Sequence, residues 1–193
     1  GQRTQRNRLV LTTGFQNQEA EEQFFKGRWN QNAKFSTDLE AALGKRSNDF
    51  QLFNQQDYAI SFFRVVPSLT FRPNNSFRSI LRYQWEEGEN TLSEPNERAV
   101  QHNFSLETTY NKAGKSSLRF SFSFVDVAFN GERNSPVELA LLQGLKDGKN
   151  FLWSLTLNQS ISQNLTLRLS YNGRKTGNSA VVHVGSMEVG ARF

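Results

Sequence analysis

The sequence predicts an all-β fold: a transmembrane, antiparallel, up-and-down β-barrel of about ten strands, with a short helix in one outer loop, formed by residues 1–193 as one domain. Three observations predict it. Apolar and polar residues alternate with period two along ten segments, the mark of strands with one greasy and one wet face. The connections between those segments alternate between short and long. Aromatic residues gather at the ends of the segments and thin out in their middles.

Composition agrees. Only 36% of residues are apolar, 12% are aromatic, and 17 are Phe. A barrel with lipid outside and a polar lumen needs this mix, whereas a soluble sandwich needs more Val, Ile and Leu for a shared core. A soluble, lipocalin-like barrel is the competing fold. No apolar run reaches the ~18 residues of a transmembrane helix, which leaves strands as the only way across. There is no cysteine, so no disulfide or thiolate metal site is expected. The net charge of +5 is spread along the strands and not clustered, which argues against nucleic acid and for a basic lumen or anionic lipid. The chain begins with Gly, as expected of a processed or trimmed product, so these strands are either a whole barrel or the last part of a larger one.

The ten segments run as follows. The first sets Leu9, Leu11, Thr13 and Phe15 against Arg8, Val10, Thr12 and Gly14; the second sets Phe25, Gly27 and Trp29 against Phe24, Lys26 and Arg28. The third and fourth carry Phe35, Thr37, Leu39, Ala41, Leu43 and Phe63, Val65, Pro67, Leu69, Phe71 on the outward side. The fifth to seventh carry Phe77 to Trp85, Phe104 to Tyr110 and Leu118 to Phe124. The eighth and ninth carry Trp153 to Leu157 and Leu165 to Tyr171, and the tenth is the C-terminal stretch through Gly185, Met187, Val189, Ala191 and Phe193. Pro67 cannot donate to a ladder, so a bulge or local break is expected there.

The short connections are 30–34, 72–76, 111–116 and 162–164; the longer ones are 17–22, 45–57, 86–99, 130–149 and 173–180. Short turns on one side and long loops on the other are the habit of outer-membrane barrels, with the turns and both termini in the periplasm. Trp29, Phe35, Phe71, Phe77, Tyr110 and Phe193 then form one aromatic girdle beside the turns. Phe15, Phe63, Trp85, Phe124, Trp153 and Tyr171 form the other, beside the loops. Hairpin geometry predicts Lys26 opposite Asp38, Leu69 opposite Ser79, and Phe63 opposite Trp85.

The lumen side collects charge: Lys26, Arg28, Asp38, Glu40, Arg64, Arg78, Arg82, Glu107, Arg119, Arg168, Glu188 and Arg192. These residues either form a salt-bridge plug in a narrow barrel or line an anion-favouring path. Within 130–149, Ser135-Pro136-Val137-Glu138 reads as a capped helix start, Val137, Leu139, Leu141, Leu142 and Leu145 make the segment apolar, and Gly148 is a candidate stop. The helix either packs over the rim or serves as a lid or docking site for a partner. Loop 86–98, with Glu86, Glu87, Glu89, Glu94 and Glu97, reads as a solvated acidic loop. His102 and His183, with Ser160 and Ser186, offer the bare ingredients of a lipid hydrolase or acyltransferase, but nothing fixes a Ser–His contact. No catalytic residue, metal ligand or cofactor site is therefore assigned.

The span from Leu142, LQGLKDGKNFLWSLTLNQSISQNLTLRLSYNGRKTG, and the closing VHVGSMEVGARF resemble the C-terminal barrel segments of large outer-membrane proteins of Bacteroidota. The resemblance implies the outer membrane of a Gram-negative cell, contact with its lipid, and recognition of the last strand (Met187, Val189, Ala191, Phe193) by the barrel-assembly machinery. It implies no catalytic activity. The function expected is an anchor or subunit of a larger envelope assembly with other envelope proteins. A porin-like channel for small anions and a lipid-modifying enzyme are the alternatives.

Overall fold

The computed structural model describes residues 1–11, 14–50, 57–92 and 96–191, without the side chains at 9–11, 14, 15 and 50. The chain is all-β with one short helix. The strands are β1 (Gln2–Leu11), β2 (Gly14–Asn30), β3 (Phe35–Phe50), β4 (Tyr58–Phe71), β5 (Phe77–Asn90), β6 (Arg98–Lys112), β7 (Ser116–Asn130), β8 (Gly148–Ser162), β9 (Leu165–Thr176) and β10 (Val182–Ala191); helix α1 (Pro136–Leu142) joins β7 to β8. They form one ten-stranded antiparallel sheet in sequence order, an up-and-down meander with β1 and β10 at its two edges.

The sheet has two unlike faces. The inner face is the one α1 packs on: Ile60, Ala99, Val125 and Val127 are buried there with Val137, Leu141 and Leu142 of the helix segment. The outer face keeps large apolar side chains exposed, among them Leu39, Leu69, Leu81, Phe104, Phe122, Leu155 and Met187. Among the described residues the phenylalanines do not gather in a central nucleus; most sit on the outer face.

The strands are longer than the alternating segments in the sequence. β2 has 17 residues and β3 has 16, where about 9–11 cross a bilayer. The extra length lies at the loop end. Along β3 the outer face is apolar from Phe35 to Leu43 and turns to Lys45, Ser47 and Asp49 beyond it. That apolar stretch spans about 26 Å along the strand, close to the height of a lipid-facing band.

The first hairpin departs from expectation. Residues 8–11 and 14–15 fall on two different strands, and 17–22 is not a loop: β1 and β2 pair from Gln2↔Gln23 to Leu11↔Gly14, while Thr12 and Thr13 lie outside the described residues. Glu19, Glu21 and Glu22 lie within β2. The polar run QNQEAEEQ forms strand because both faces there stand beyond the apolar band, where a hydrophobic period is not needed. β1 therefore pairs only with the loop-end half of β2, and Phe25 to Asn30 have a ladder only on the β3 side among the described residues.

The turns 31–34, 72–76, 113–115 and 163–164 fall where the short connections were expected. The registers around the first two differ from expectation by two residues. Lys26 faces Glu40 and Arg28 faces Asp38; Leu69 faces Leu81 and Phe63 faces Glu87. In each turn an asparagine causes the shift. Asn32 Oδ1 accepts from the amides of Lys34 and Phe35, and Asn74 Oδ1 accepts from those of Ser76 and Phe77, at 2.8–2.9 Å. The asparagine cap centres each turn one residue later in the chain, which moves the register by two. At Pro67 the β4–β5 ladder is interrupted between Val65↔Trp85 and Ser68↔Arg82 with the register unchanged, so the proline makes a break and no bulge.

Candidate functional site

Two surfaces follow from this sheet. The first is the outer band. At its turn end, Phe35 stacks on Phe71 with ring centroids 4.7 Å apart, and Phe71 meets Phe77 edge-on at 6.4 Å. Trp29 and Tyr110 lie exposed at the same level. At the loop end, Phe63 and Trp85 touch edge-on at 5.6 Å, as diagonal neighbours and not the direct pair expected. Phe124 packs on Phe151 at 5.1 Å, and Tyr83 on Phe104 at 4.6 Å. Trp153 lies across Gly173 so closely that a Cβ there would fall 2.1 Å from the ring, which explains a glycine in mid-strand. The Phe15 side chain, Arg192 and Phe193 lie outside the described residues. Met187, Val189 and Ala191 of the expected assembly signal are exposed on β10.

Both histidines join the loop-end girdle. Tyr83 Oη lies 2.8 Å from His102 Nδ1, and Tyr171 Oη lies 2.7 Å from His183 Nδ1. Each imidazole also stacks on its tyrosine. Neither is hydrogen-bonded to a serine among the described residues. Ser186 is on the opposite face of β10 and pairs with Ser170 at 2.7 Å. Among the described residues no three His, Cys, Asp or Glu side chains converge as metal ligands.

The second surface is the inner face, and α1 packs over its loop end at β5, β6 and β7. Ser135 caps the helix by accepting from the Glu138 amide at 3.0 Å, and Pro136 opens the first turn. The helix ends at Gln143, not Gly148: Gln143 takes a left-handed conformation with φ 53°. A seven-residue helix has no stability of its own, so docking must hold it. Leu142 is fully buried, Val137 and Leu141 nearly so, and Leu145 packs beside them; Leu139 faces away, 65% exposed. Small residues beneath make room. A Cβ on Gly88 would come within 3.1 Å of Leu141 Cδ2. Two polar contacts fix the orientation: Gln101 Nε2 donates to the Leu141 carbonyl at 2.7 Å, and Gln143 Nε2 donates to Glu86 Oε1 at 2.9 Å.

Glu86 links the helix to the charges. Arg46 reaches it at 3.3 Å and Arg64 at 3.8 Å; Arg64 also holds Glu22 at 2.9 Å and Glu40 at 3.4 Å, and Lys26 closes the chain on Glu40 at 2.8 Å. Phe62 lies between the two guanidiniums, 4.1 Å from Arg46 and 5.8 Å from Arg64. Glu86 is 5% exposed, and Arg64 17%. The expected solvated acidic loop is thus corrected. Glu86 is a buried strand residue, and Glu97 is buried too, accepting from Asn90 Nδ2 and the Glu132 amide; Glu94 lies outside the described residues. Tyr58, on β4 beyond the apolar band, packs against the helix cluster, and burial pushes its phenol above the ordinary value while Arg46 opposes the shift.

The expected lumen charges share this inner face but not one network. Arg28 pairs with Asp38 at 2.5 Å, Arg82 with Glu107 at 3.3 Å, and Arg168 with Glu188 at 3.6 Å. Arg78 and Arg119 have no carboxylate partner among the described residues. Sequence reasoning missed Glu22, Arg46, Phe62, Glu86, Gln101 and Gln143. Extending the parity of β2 and β5 two residues further would have found Glu22 and Glu86; nothing in the pattern signals Gln143. The chain matches no known family and no curated protein sequence.

Proposed function

We propose that this chain is an integral outer-membrane β-barrel that anchors, or forms a subunit of, a larger envelope assembly and does not conduct. The seating of α1 on the inner face carries this reading. Leu142 is fully buried there, and Gln143 ties the helix to the buried Glu86–Arg64–Arg46 cluster, so protein packs against the loop end of the inner face at β5, β6 and β7, where a conducting path would need space. The exposed outer band, with aromatics at both margins and charged strand extensions beyond one of them, supports the membrane placement: in water such a surface would aggregate. The resemblance of the last strands to Bacteroidota barrels supports the outer membrane and insertion by the assembly machinery. Pure protein in planar bilayers is expected to give no steady openings. Steady, anion-selective conductance from the intact chain would refute the anchor and favour a channel.

A further inference from the structure

Below the charged cluster, the turn-end half of the inner face is open and carries far more positive than negative charge. Two adjoining cavities of about 470 and 500 Å³ lie there and share Arg28, Thr70 and Arg78. The cations lining them are Lys26, Arg28, Lys34, Arg72, Arg78 and Arg82, against the two carboxylates Asp38 and Glu40. Glu40 is already shared by Lys26 and Arg64, Asp38 is taken by Arg28, and Arg82 leans on Glu107. Lys34, Arg72 and Arg78 are left with no carboxylate among the described residues, at one end of one face. Gathering three like charges is unfavourable unless an anion offsets it.

We propose that this basin binds a soluble phosphate-class oxyanion, such as a phosphate monoester or a pyrophosphate, between Arg72 and Arg78 over Thr70. Guanidinium forks match the paired oxygens of phosphate, and the Ser36, Ser68 and Thr70 hydroxyls on the floor donate to the remaining ones. The roof is the Lys26–Glu40–Arg64 chain, with the strands covered by α1 beyond it. The anion therefore enters and leaves by the turn end, and the basin holds a ligand without passing it through. The inference rests on the proposed blocked interior only for that dead end. Binding itself depends on the inner face, so conductance and binding fail separately.

The probe is inorganic pyrophosphate, titrated calorimetrically into the full chain in neutral detergent at low salt. Saturable binding is expected. The double variant Arg72→Gln/Arg78→Gln should weaken it at least tenfold. The control Arg119→Gln/Arg174→Gln, which removes the same two charges from the inner face of β7 and β9 outside the basin, should change it less than twofold. Equal weakening by that control would reduce the effect to general charge and overturn the site, as would absence of binding at millimolar pyrophosphate. Citrate binding as tightly as pyrophosphate would overturn the phosphate class. Affinity should be unchanged in bilayers containing phosphatidylglycerol, because the basin faces away from lipid; competition by that lipid would place the phosphate of a headgroup there instead.

Discussion

Removing the side chain of Leu142 tests whether α1 is held on the inner face by packing. Leu142 is the helix residue with no solvent exposure, pressed among Ile60, Ala99, Val125 and Val127. Truncating a fully buried leucine to alanine costs about 2–5 kcal/mol. The released state leaves the strands intact, so that cost falls almost wholly on the balance between docked and released helix. Taking about 3 kcal/mol, the released fraction rises by about 100-fold, since 1.4 kcal/mol is a factor of ten. The chain has no cysteine, so one introduced thiol is a unique reporter. Ala99 is 2% exposed, lies on β6 beneath the helix, and differs from cysteine by one sulfur. Maleimide should label Ala99→Cys slowly in the otherwise intact protein. With Leu142→Ala the rate should approach that of a variant whose residues 136–142 are a Gly/Ser linker, because labelling follows the population of the open state. If Ala99→Cys in the intact chain reacts as fast as in the linker variant, the helix is not seated and the blocked interior is wrong.

Two further outcomes are expected. Arg64→Met leaves Glu22, Glu40 and the 5%-exposed Glu86 without their shared cation, and should cost about 3–5 kcal/mol in urea unfolding from lipid vesicles; a loss under 1 kcal/mol would show that Arg64 is not the centre of the cluster. A spin label at Phe122→Cys, in the middle of the outer band, should collide with oxygen and not with a water-soluble relaxant in reconstituted bilayers. Water contact at that position would remove the membrane from the account.

How much of this was legible in the sequence depends on what each element is made of. From β3 to β10 the outer face carries a hydrophobic period, and both strand identity and face could be read. In β2 the period stops at Phe25, and Gln16 to Gln23 continue as strand with polar side chains on both faces. No hydrophobic signal marks such a strand; its evidence is the ladder to β1 and β3, which a single sequence does not show. The interior was lost at the same boundary. Glu86 and Glu22 lie just where the outward face ceases to be apolar, so loops drawn over 86–99 and 17–22 take in both inward residues.

The register errors show why the faces survived. Two hairpins are each displaced by two residues, and both displacements trace to one chemistry, an asparagine accepting two amides across the turn. An even displacement changes partners and preserves sides, because side chains alternate with period two. Lys26 exchanges Asp38 for Glu40, one carboxylate for another, and remains on the inner face. A displacement of one would have carried Arg64 and Glu40 to the outer face and Leu43 and Phe63 inward, a change worth about 2–4 kcal/mol for the arginine alone at the bilayer midplane. The turn chemistry is thus free to choose which inner residues meet, while the apolar band forbids any choice that moves a charge across the sheet.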